Sequence, residues 1–488
     1  MYKNIPQRLI YFLLLVFTLS TCTLDGNPDR KNSNSEWKNL FDGSSLDGWH
    51  QLGSDAQYDA ENGVIVGTAK TGAGNSFLTT HKTYSDFILE LDVKVDPGLN
   101  SGVQFRSQSQ SQSQSQDDDE RLHGYQLEID SSSRRWSGGI YDEGRKGWLY
   151  NLARNSRARS AFSLSTWNHI RVEAIGTSIR SWVNGIPAAD LIDDSTLDGF
   201  IGLQIQSIGD DLSKEGLQVR WKNIRIKTDG LNSFRTPENN DIEQFSSLKN
   251  ELTPREIKEG WELLWDGEST AGWKSAKSEG FPEKGWNIEN GVLSVLSSGG
   301  AEARNGGDII TISEFSSFEL ELDFRFTPGA NSGIKYFVDP DLLKGKGSAI
   351  GLEFQILDDD LHPDAKRGIS GNRTIGSLYD LITAVNQSEP QSSLKRVNPP
   401  GQWNRARIVV RGDYIEHWLN NILVVKYYRG TQMFRALVAY SKYAKWPNFG
   451  EWEKGPILLQ DHGDLVSFRS IKIRDLSLNK DHLNVNET

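Results

Sequence analysis

Along most of this chain apolar and polar residues alternate with a period of two, in short runs closed by Gly, Asn, Asp or Pro. Successive side chains of a strand point to opposite faces, so this period predicts short strands rather than helices. In Gly351-Leu-Glu-Phe-Gln-Ile-Leu-Asp-Asp-Asp360 one face carries Leu352, Phe354 and Ile356, and the other carries Gly351, Glu353, Gln355 and Leu357. A face with Glu and Gln two positions apart is either solvated or lines a polar cleft. Asn331-Ser-Gly-Ile-Lys-Tyr-Phe337 alternates in the same way, with Lys335 and Phe337 on one face. Glu90 and Asp92 alternate with apolar residues, as do Glu319, Glu321 and Asp323, which predicts outer strands with a solvated face. Asn62-Gly63 and Asn290-Gly291 signal tight hairpins. Thr253-Pro-Arg-Glu256 is a capping box with Pro at the first helical position, predicting one short helix.

The pattern occurs twice. Leu40-Phe-Asp-Gly43 returns as Leu264-Trp-Asp-Gly267, Phe87-Ile-Leu-Glu-Leu-Asp-Val93 as Phe318-Glu-Leu-Glu-Leu-Asp-Phe324, and Pro97-Gly-Leu-Asn-Ser-Gly-Val103 as Pro328-Gly-Ala-Asn-Ser-Gly-Ile334. Trp182-Val-Asn184 returns as Trp418-Leu-Asn420. A period this long is not that of a solenoid, so the chain holds two copies of one domain. The strand density predicts an all-β fold of two tandem concanavalin A-like jelly-roll β-sandwiches. The first copy is expected over residues 37–228, a polar linker over 229–252 and the second copy over 253–477, with a tail at 478–488. Five Ser-Gln pairs and an acidic run, residues 107–120, predict a disordered loop inserted in the first copy.

Composition narrows the partners. Hydrophobic residues make up 36% of the chain, enough for globular cores, and 46 Gly suit a turn-rich β protein. The formal net charge of −11 argues against nucleic acid and against an anionic membrane surface. No Gly-rich dinucleotide motif is present, so no nucleotide cofactor is expected. Cys22 is the one cysteine, which excludes an internal disulfide framework and a Cys-rich zinc site. It follows Lys3, Arg8 and an apolar run from Ile10 to Leu19 that is too short to span a bilayer. The segment resembles a bacterial lipoprotein signal. That implies removal of residues 1–21, acylation of Cys22, a tether over 22–36 and an exported protein. Its lipid would anchor it to the bacterial envelope, on the periplasmic or cell-surface side of the outer membrane.

Aligning the copies isolates their chemical differences. Gln126 stands where Glu353 stands, Glu128 where Gln355 stands, Gln206 where His462 stands, and Gln104 where Lys335 stands. Arg106 stands opposite Phe337. The second copy thus carries Glu and His at two aligned positions where the first has amides.

Asn331-Ser-Gly-Ile334, Gly351 to Asp359, His362-Pro-Asp-Ala365, Gly376-Ser-Leu-Tyr-Asp380, Gln402-Trp-Asn404 and Leu459-Gln-Asp-His-Gly463 together resemble the 3-keto-disaccharide hydrolase domain family. The first copy resembles another branch of it through Asn100 to Arg106, Gly124 to Asp130 and Gly138 to Trp148, but departs at Gln206, where a His is usual. The resemblance implies cleavage of 3-keto-glycosides. A ketone at C3 acidifies the C2 proton; a base removes it, the C1–O bond breaks by β-elimination, and water addition completes a net hydrolysis. Such a site needs a base, a stabiliser of the enediolate and an acid for the leaving group. A divalent metal ion bridging the C2 and C3 oxygens would serve the second need. The resemblance then makes Glu353 and His462 the expected base and the metal or proton-transfer pair, with Lys335 polarising the ketone. Gln355, Asp358, Arg373 and Tyr379 are the expected substrate-binding residues, with His362 beside them. Trp446 and Trp452, in an insertion the first copy lacks, are expected to stack on sugar faces. Arg106, Glu128 and Asp142 form the candidate set of the first copy, near Trp136 and Trp148.

Blander readings compete. Glu353 would serve only as an ion-pair partner of Lys335, and His462 only as a turn residue before Gly463. A non-catalytic carbohydrate-binding lipoprotein of two lectin-like domains is the alternative to an enzyme, and Gln126 and Gln206 favour it for the first copy. A glucanase would want paired carboxylates on one strand, of which Leu127-Glu-Ile-Asp130 offers a fragment.

Overall fold

The computed structural model describes residues 37–110, 121–300, 302–342, 347–388 and 395–477. The expected signal, Cys22, the tether, the tail and residues 111–120 lie outside the described residues.

Four sheets form two sandwiches. In the first copy, Phe87–Val95 lies between Asn168–Ile175 and Gln218–Lys227 in one sheet, and Ser101–Gln110 lies between Arg121–Ile129 and Phe200–Ile205 in the other. The second copy repeats this plan. Phe318–Phe326 lies between Asn404–Arg411 and Val466–Asp475, while Asn331–Asp339 lies between Ile350–Leu357 and Leu458–Leu459. The apolar faces close on each other in both copies. Phe87 meets Phe105 edge to face, and Phe318 meets Tyr336 in the same way. Leu352, Phe354 and Ile356 are fully buried, each stabilising the fold by roughly 1.5–3 kcal/mol through the area it withdraws from water. The two Asn-Gly hairpins form, with Glu61 opposite Val64 and Glu289 opposite Val292. Asn62 and Asn290 both take φ near +50°, as a two-residue turn of this hand requires. The capping box forms on the helix Pro254–Lys258.

The strand registers superimpose the copies residue by residue. Gln104 pairs with Gln126 where Lys335 pairs with Glu353, and Gly102 pairs with Glu128 where Gly333 pairs with Gln355. Each copy also carries the same bulge. Arg106 and Phe337 both have positive φ, and the register slips there in both copies. The bulge breaks the expected alternation. Phe337 does not share the face of Lys335 but is buried under Arg429, whose guanidinium carbon lies 4.0 Å from the ring centre. The Ser-Gln tract also departs from expectation at its start. Its polar alternation is itself a period of two, and residues 107–110 continue the strand Ser101–Gln110, with Ser107 fully buried.

The acidic faces of the outer strands are largely covered. Glu319, Glu321, Asp323 and Glu90 are buried, while Asp92 is half-buried and keeps part of the expected solvation. Basic residues of neighbouring strands pair with them: Asp323 with Arg405 (3.0 Å) and Arg469 (3.3 Å), Glu321 with Lys472 (3.1 Å), and Glu319 with Arg407 and Arg474. The segment between the sandwiches lies over this layer. Thr236 N donates to Glu173, Phe245–Ser246 adds to the first sheet beside Ile186–Ile192, and Glu256 pairs with Lys472. Glu243 bridges the copies, forming an ion pair with Arg154 of the first and accepting from Arg407 of the second at 2.6 Å. Arg154 also lies over Trp418, and Asn151 donates to the Asn421 carbonyl at 3.3 Å.

Candidate active site

The polar face of Ile350–Leu357 opens on a cavity of about 200 Å³ in the second copy. Glu302, Asn331, Glu353, Gln355, His362, Asp364, Arg367, Tyr379, Lys442, Gln460 and His462 line it. Three features of the chain build it. Leu458–Leu459 ends beside Lys335, and the turn after it presents Gln460 and His462. Asp461 pins that turn, accepting from Gly463 N (2.9 Å) and Gly307 N (2.8 Å). The loop after the strand docks back on its free edge, with Tyr379 N donating to Glu353 O at 3.0 Å and Gly376 N to Gln355 O at 2.8 Å. In the first copy the strand Ile140–Glu143 occupies that edge instead.

Glu353 is 4% exposed. Burial pushes its carboxyl up from the ordinary range, against the attraction of Lys335, Lys442 and His462. Lys335 Nζ lies 3.8 Å from Glu353 Oε2, longer than a hydrogen bond. Its nearer partners are Ser348 Oγ and the Ala349 carbonyl (3.1 Å), and Ser348 in turn donates to Asp308 (2.6 Å). Lys335 therefore stands behind Glu353 rather than in the cavity, which corrects its expected contact with a ketone.

A hydrogen-bonded chain runs from Glu353 to His462. With both amides turned, Gln355 donates to Glu353 Oε1 (3.2 Å) and to the Ser332 carbonyl (3.0 Å), and the Asn331 nitrogen donates to the Gln355 oxygen at 3.2 Å. That amide reaches His462 Nε2 at 3.2 Å. His462 Nδ1 is buried and makes no hydrogen bond among the described residues. The His362 ring stands perpendicular to the His462 ring with centres 6.2 Å apart, and its Nδ1 accepts from Asp364 N (3.2 Å). Desolvation holds His362 below the usual histidine range.

Glu353, His462, Gln355 and Tyr379 thus share one cavity with His362. Other expected residues stand elsewhere. Asp358 closes a turn, accepting from Gly329 N (2.8 Å), Asp360 N and Leu361 N. Arg373 bridges Asp364 (2.9 Å) and Asp380 (2.7 Å) behind the cavity wall, and Asp364 in turn accepts from Tyr379 Oη (2.6 Å). Trp446 and Trp452 pack against the core as anchors of the insertion, together with Phe449 stacked on Tyr443. What the insertion supplies to the cavity is Lys442, whose backbone N donates to Asp380 (2.8 Å). Glu302, Asn331, Asp364, Arg367, Lys442 and Gln460 were not singled out from the sequence. Asn331 and Gln460 carried a signal, since the first copy repeats them as Asn100 and Gln204; Glu302, Arg367 and Lys442 lie in loops with no such marker.

The first copy closes on itself at the same place. Gln104 donates to Gln126, Gln126 to Glu128 (2.9 Å), and Asn100 to Glu128 (2.8 Å), with Arg134 3.5 Å away. Arg106 is fully buried, turned by the bulge onto the Ser85 and Gly176 carbonyls and Asp86. Asp142 holds a hairpin turn through Arg145 and Lys146 N. Neither reaches a sugar-facing surface.

A sequence profile for the 3-keto-alpha-glucoside-1,2-lyase-like domain matches residues 36–227 and again 260–474. The chain belongs to that family. A 3-keto-disaccharide hydrolase of Bacteroides thetaiotaomicron is 37% identical over 238 residues, which span 45% of this chain and 79% of the relative. Two solved structures from Parabacteroides distasonis, each assigned by inference as a glycosyl hydrolase, also align. One is 30% identical over 47% of this chain and 100% of its own, with a TM-score of 0.40; the other is 28% identical over 44% and 99%, with a TM-score of 0.32.

Among the described residues no three His, Cys, Asp or Glu side chains converge closely enough to hold a metal ion. No step below is routed through a metal.

Proposed function

We propose that the protein cleaves the glycosidic bond of 3-keto-glycosides and that the second copy does the work. The observation that carries this reading is the shared cavity of Glu353 and His462, at the two aligned positions where the first copy has Gln126 and Gln206. A carboxyl raised by burial is a stronger base than an exposed one once ionised, which suits removal of the C2 proton. The cationic Arg367 faces the same space and offsets charge developing on the sugar oxygens. Loss of the C2 proton expels the substituent at C1. His462, linked to Glu353 through Gln355 and Asn331, is placed to hand a proton to the departing oxygen. Water then adds at C1 and the net reaction is hydrolysis. In the first copy the amides satisfy Glu128 and leave no free base, which supports a binding or bracing role there.

Incubation with a 3-keto-glucoside and with its unoxidised parent tests the reading. Cleavage of the keto sugar alone is expected, lost in Glu353→Gln and kept in Glu128→Gln. Cleavage of neither sugar, with sugar binding retained, would leave the lectin-like alternative standing. We further propose export and lipid anchoring through Cys22; Cys22→Ala should move the protein from the membrane to the soluble fraction.

A further inference from the structure

Three other lysines of the second copy are held by partners. Lys335 bonds Ser348 and the Ala349 carbonyl, Lys395 bonds Asp359 (2.7 Å) and the Ile375 carbonyl (2.9 Å), and Lys472 pairs with Glu256 and Glu321. Lys442 differs. Its Nζ makes no hydrogen bond or ion pair among the described residues, although the side chain lines the cavity that holds Glu353. It lies instead over the faces of two tyrosines, 4.1 Å from the Tyr379 ring centre and 5.2 Å from that of Tyr443. The backbone beneath it is fixed by Asp380, itself held by Arg373, and by Ser441 Oγ, which accepts from Tyr443 N at 3.1 Å. The residue is exposed, so a ligand can reach it.

An amine with no hydrogen-bonding partner, beside a base, in a site for ketones has a specific chemical use. Lysine nucleophiles are activated by desolvation or by a neighbouring cation, because either favours the neutral amine. Both act here: desolvation pushes the Lys442 ammonium down, Lys335 adds to the effect, and Glu353 opposes it. Lys335, by contrast, is bonded to Ser348 Oγ and the Ala349 carbonyl and does not line the cavity.

We propose that Lys442 condenses with the C3 ketone of the substrate, so that an iminium rather than a bare carbonyl is the electron sink for loss of the C2 proton. The inference rests on the keto-glycoside reading above. The neutral amine adds to C3, the carbonyl π pair moves to oxygen, and the adduct takes up one proton from solvent and loses one water to give the C3=N iminium; that proton is returned when the iminium is hydrolysed. Glu353 takes the C2 proton; the C–H pair forms C2=C3 and neutralises the nitrogen as an enamine. The nitrogen lone pair then restores C3=N, the C2=C3 pair becomes C1=C2, and the C1–O bond breaks with a proton going to the departing oxygen. Water adds to C1 while C2 regains a proton, and a second water hydrolyses the iminium, freeing the 3-keto sugar and Lys442. One water is consumed overall, and no oxidant or reductant takes part. The first copy lacks the insertion that carries Lys442, in keeping with its lack of a base.

The test is trapping. The full-length protein is incubated with a 3-keto-glucoside and sodium cyanoborohydride, which reduces iminium ions in preference to ketones, and its peptides are mapped by mass. The expected result is a reduced sugar adduct on Lys442, time-dependent inactivation, and loss of both adduct and cleavage in Lys442→Arg, which keeps the charge but not the nucleophile. Cleavage at the normal rate with no adduct, or an adduct on Lys335 instead, overturns the proposal and leaves the keto-glycoside reading intact. Absence of cleavage and of adduct, with the sugar still bound, overturns both.

Discussion

Replacing Glu353 by Gln separates the catalytic reading of this residue from the structural one. The change keeps shape and volume. Gln355 still has an oxygen to donate to at its present 3.2 Å, and Lys335 keeps Ser348 and the Ala349 carbonyl, with Asp308 one hydroxyl away. What disappears is a base and a buried negative charge. Loss of a positioned general base lowers the rate by about a hundred- to ten-thousandfold, or about 3 to 5 kcal/mol of transition-state stabilisation. Stability should move the other way. The folded pKa of Glu353 is raised by burial. The folded state thus retains a proton that the unfolded chain gives up, and stability falls as pH rises from the unfolded value through the folded one. The variant escapes that cost, so at neutral pH it should be unchanged or more stable, and the difference should vanish in acid. Single-turnover cleavage of a 3-keto-glucoside and urea melts at two pH values read both arms. Activity within tenfold of the wild type would refute the assignment of the base. A loss of stability of about 3 kcal/mol or more, as when a buried ion pair is broken from one side, would make Glu353 a structural partner of Lys335.

Three further outcomes follow from the same geometry. Lys335 lowers the pKa of Glu353, so Lys335→Met should shift the acid limb of the pH–rate profile to higher pH; an unmoved limb would mean that the two do not communicate. A Cβ on Gly333 would fall 2.2 Å from Glu353 Oε1, and one on Gly102 would fall 2.3 Å from the Gln126 side chain. Both Ala variants should lose about 1–3 kcal/mol in denaturant melts, but only Gly333→Ala should lose cleavage. Glu243→Gln should cost about 1.5–3 kcal/mol and raise the rate of limited proteolysis between the sandwiches; equal proteolysis would show that Arg154 and Arg407 need no common partner.

The fold was legible because two independent signals agreed, the period of two and the internal repeat. The repeat also aligned Glu353 with Gln126, which the strand registers reproduce, and His462 with Gln206, which lie just past the paired residues. Sequence reasoning failed where side-chain direction depends on one backbone torsion. A positive φ at Phe337 and at Arg106 turned both side chains away from the face that alternation assigns them. It also failed where burial comes from a distant segment. Nothing local to Glu319 or Asp323 shows that basic residues of neighbouring strands and the connecting segment will cover them. Lys442 was hidden for a related reason: the insertion that carries it announced its aromatics, Trp446, Phe449 and Trp452, while the residue facing the cavity lies four positions before the first of them.

Glu243 sits on the connecting segment yet is claimed by an arginine from each sandwich. A duplicated domain in that position is not a spare. Its cleft is free to lose chemistry, and amides stand where Glu353 and His462 stand in its sister, but its outer wall is committed to the neighbour. Cutting the chain after residue 252 would hand the second sandwich to solvent with Trp418 uncovered and Arg407 short of one carboxylate. On the reading proposed above, the first copy is kept for what it touches as well as for what it binds.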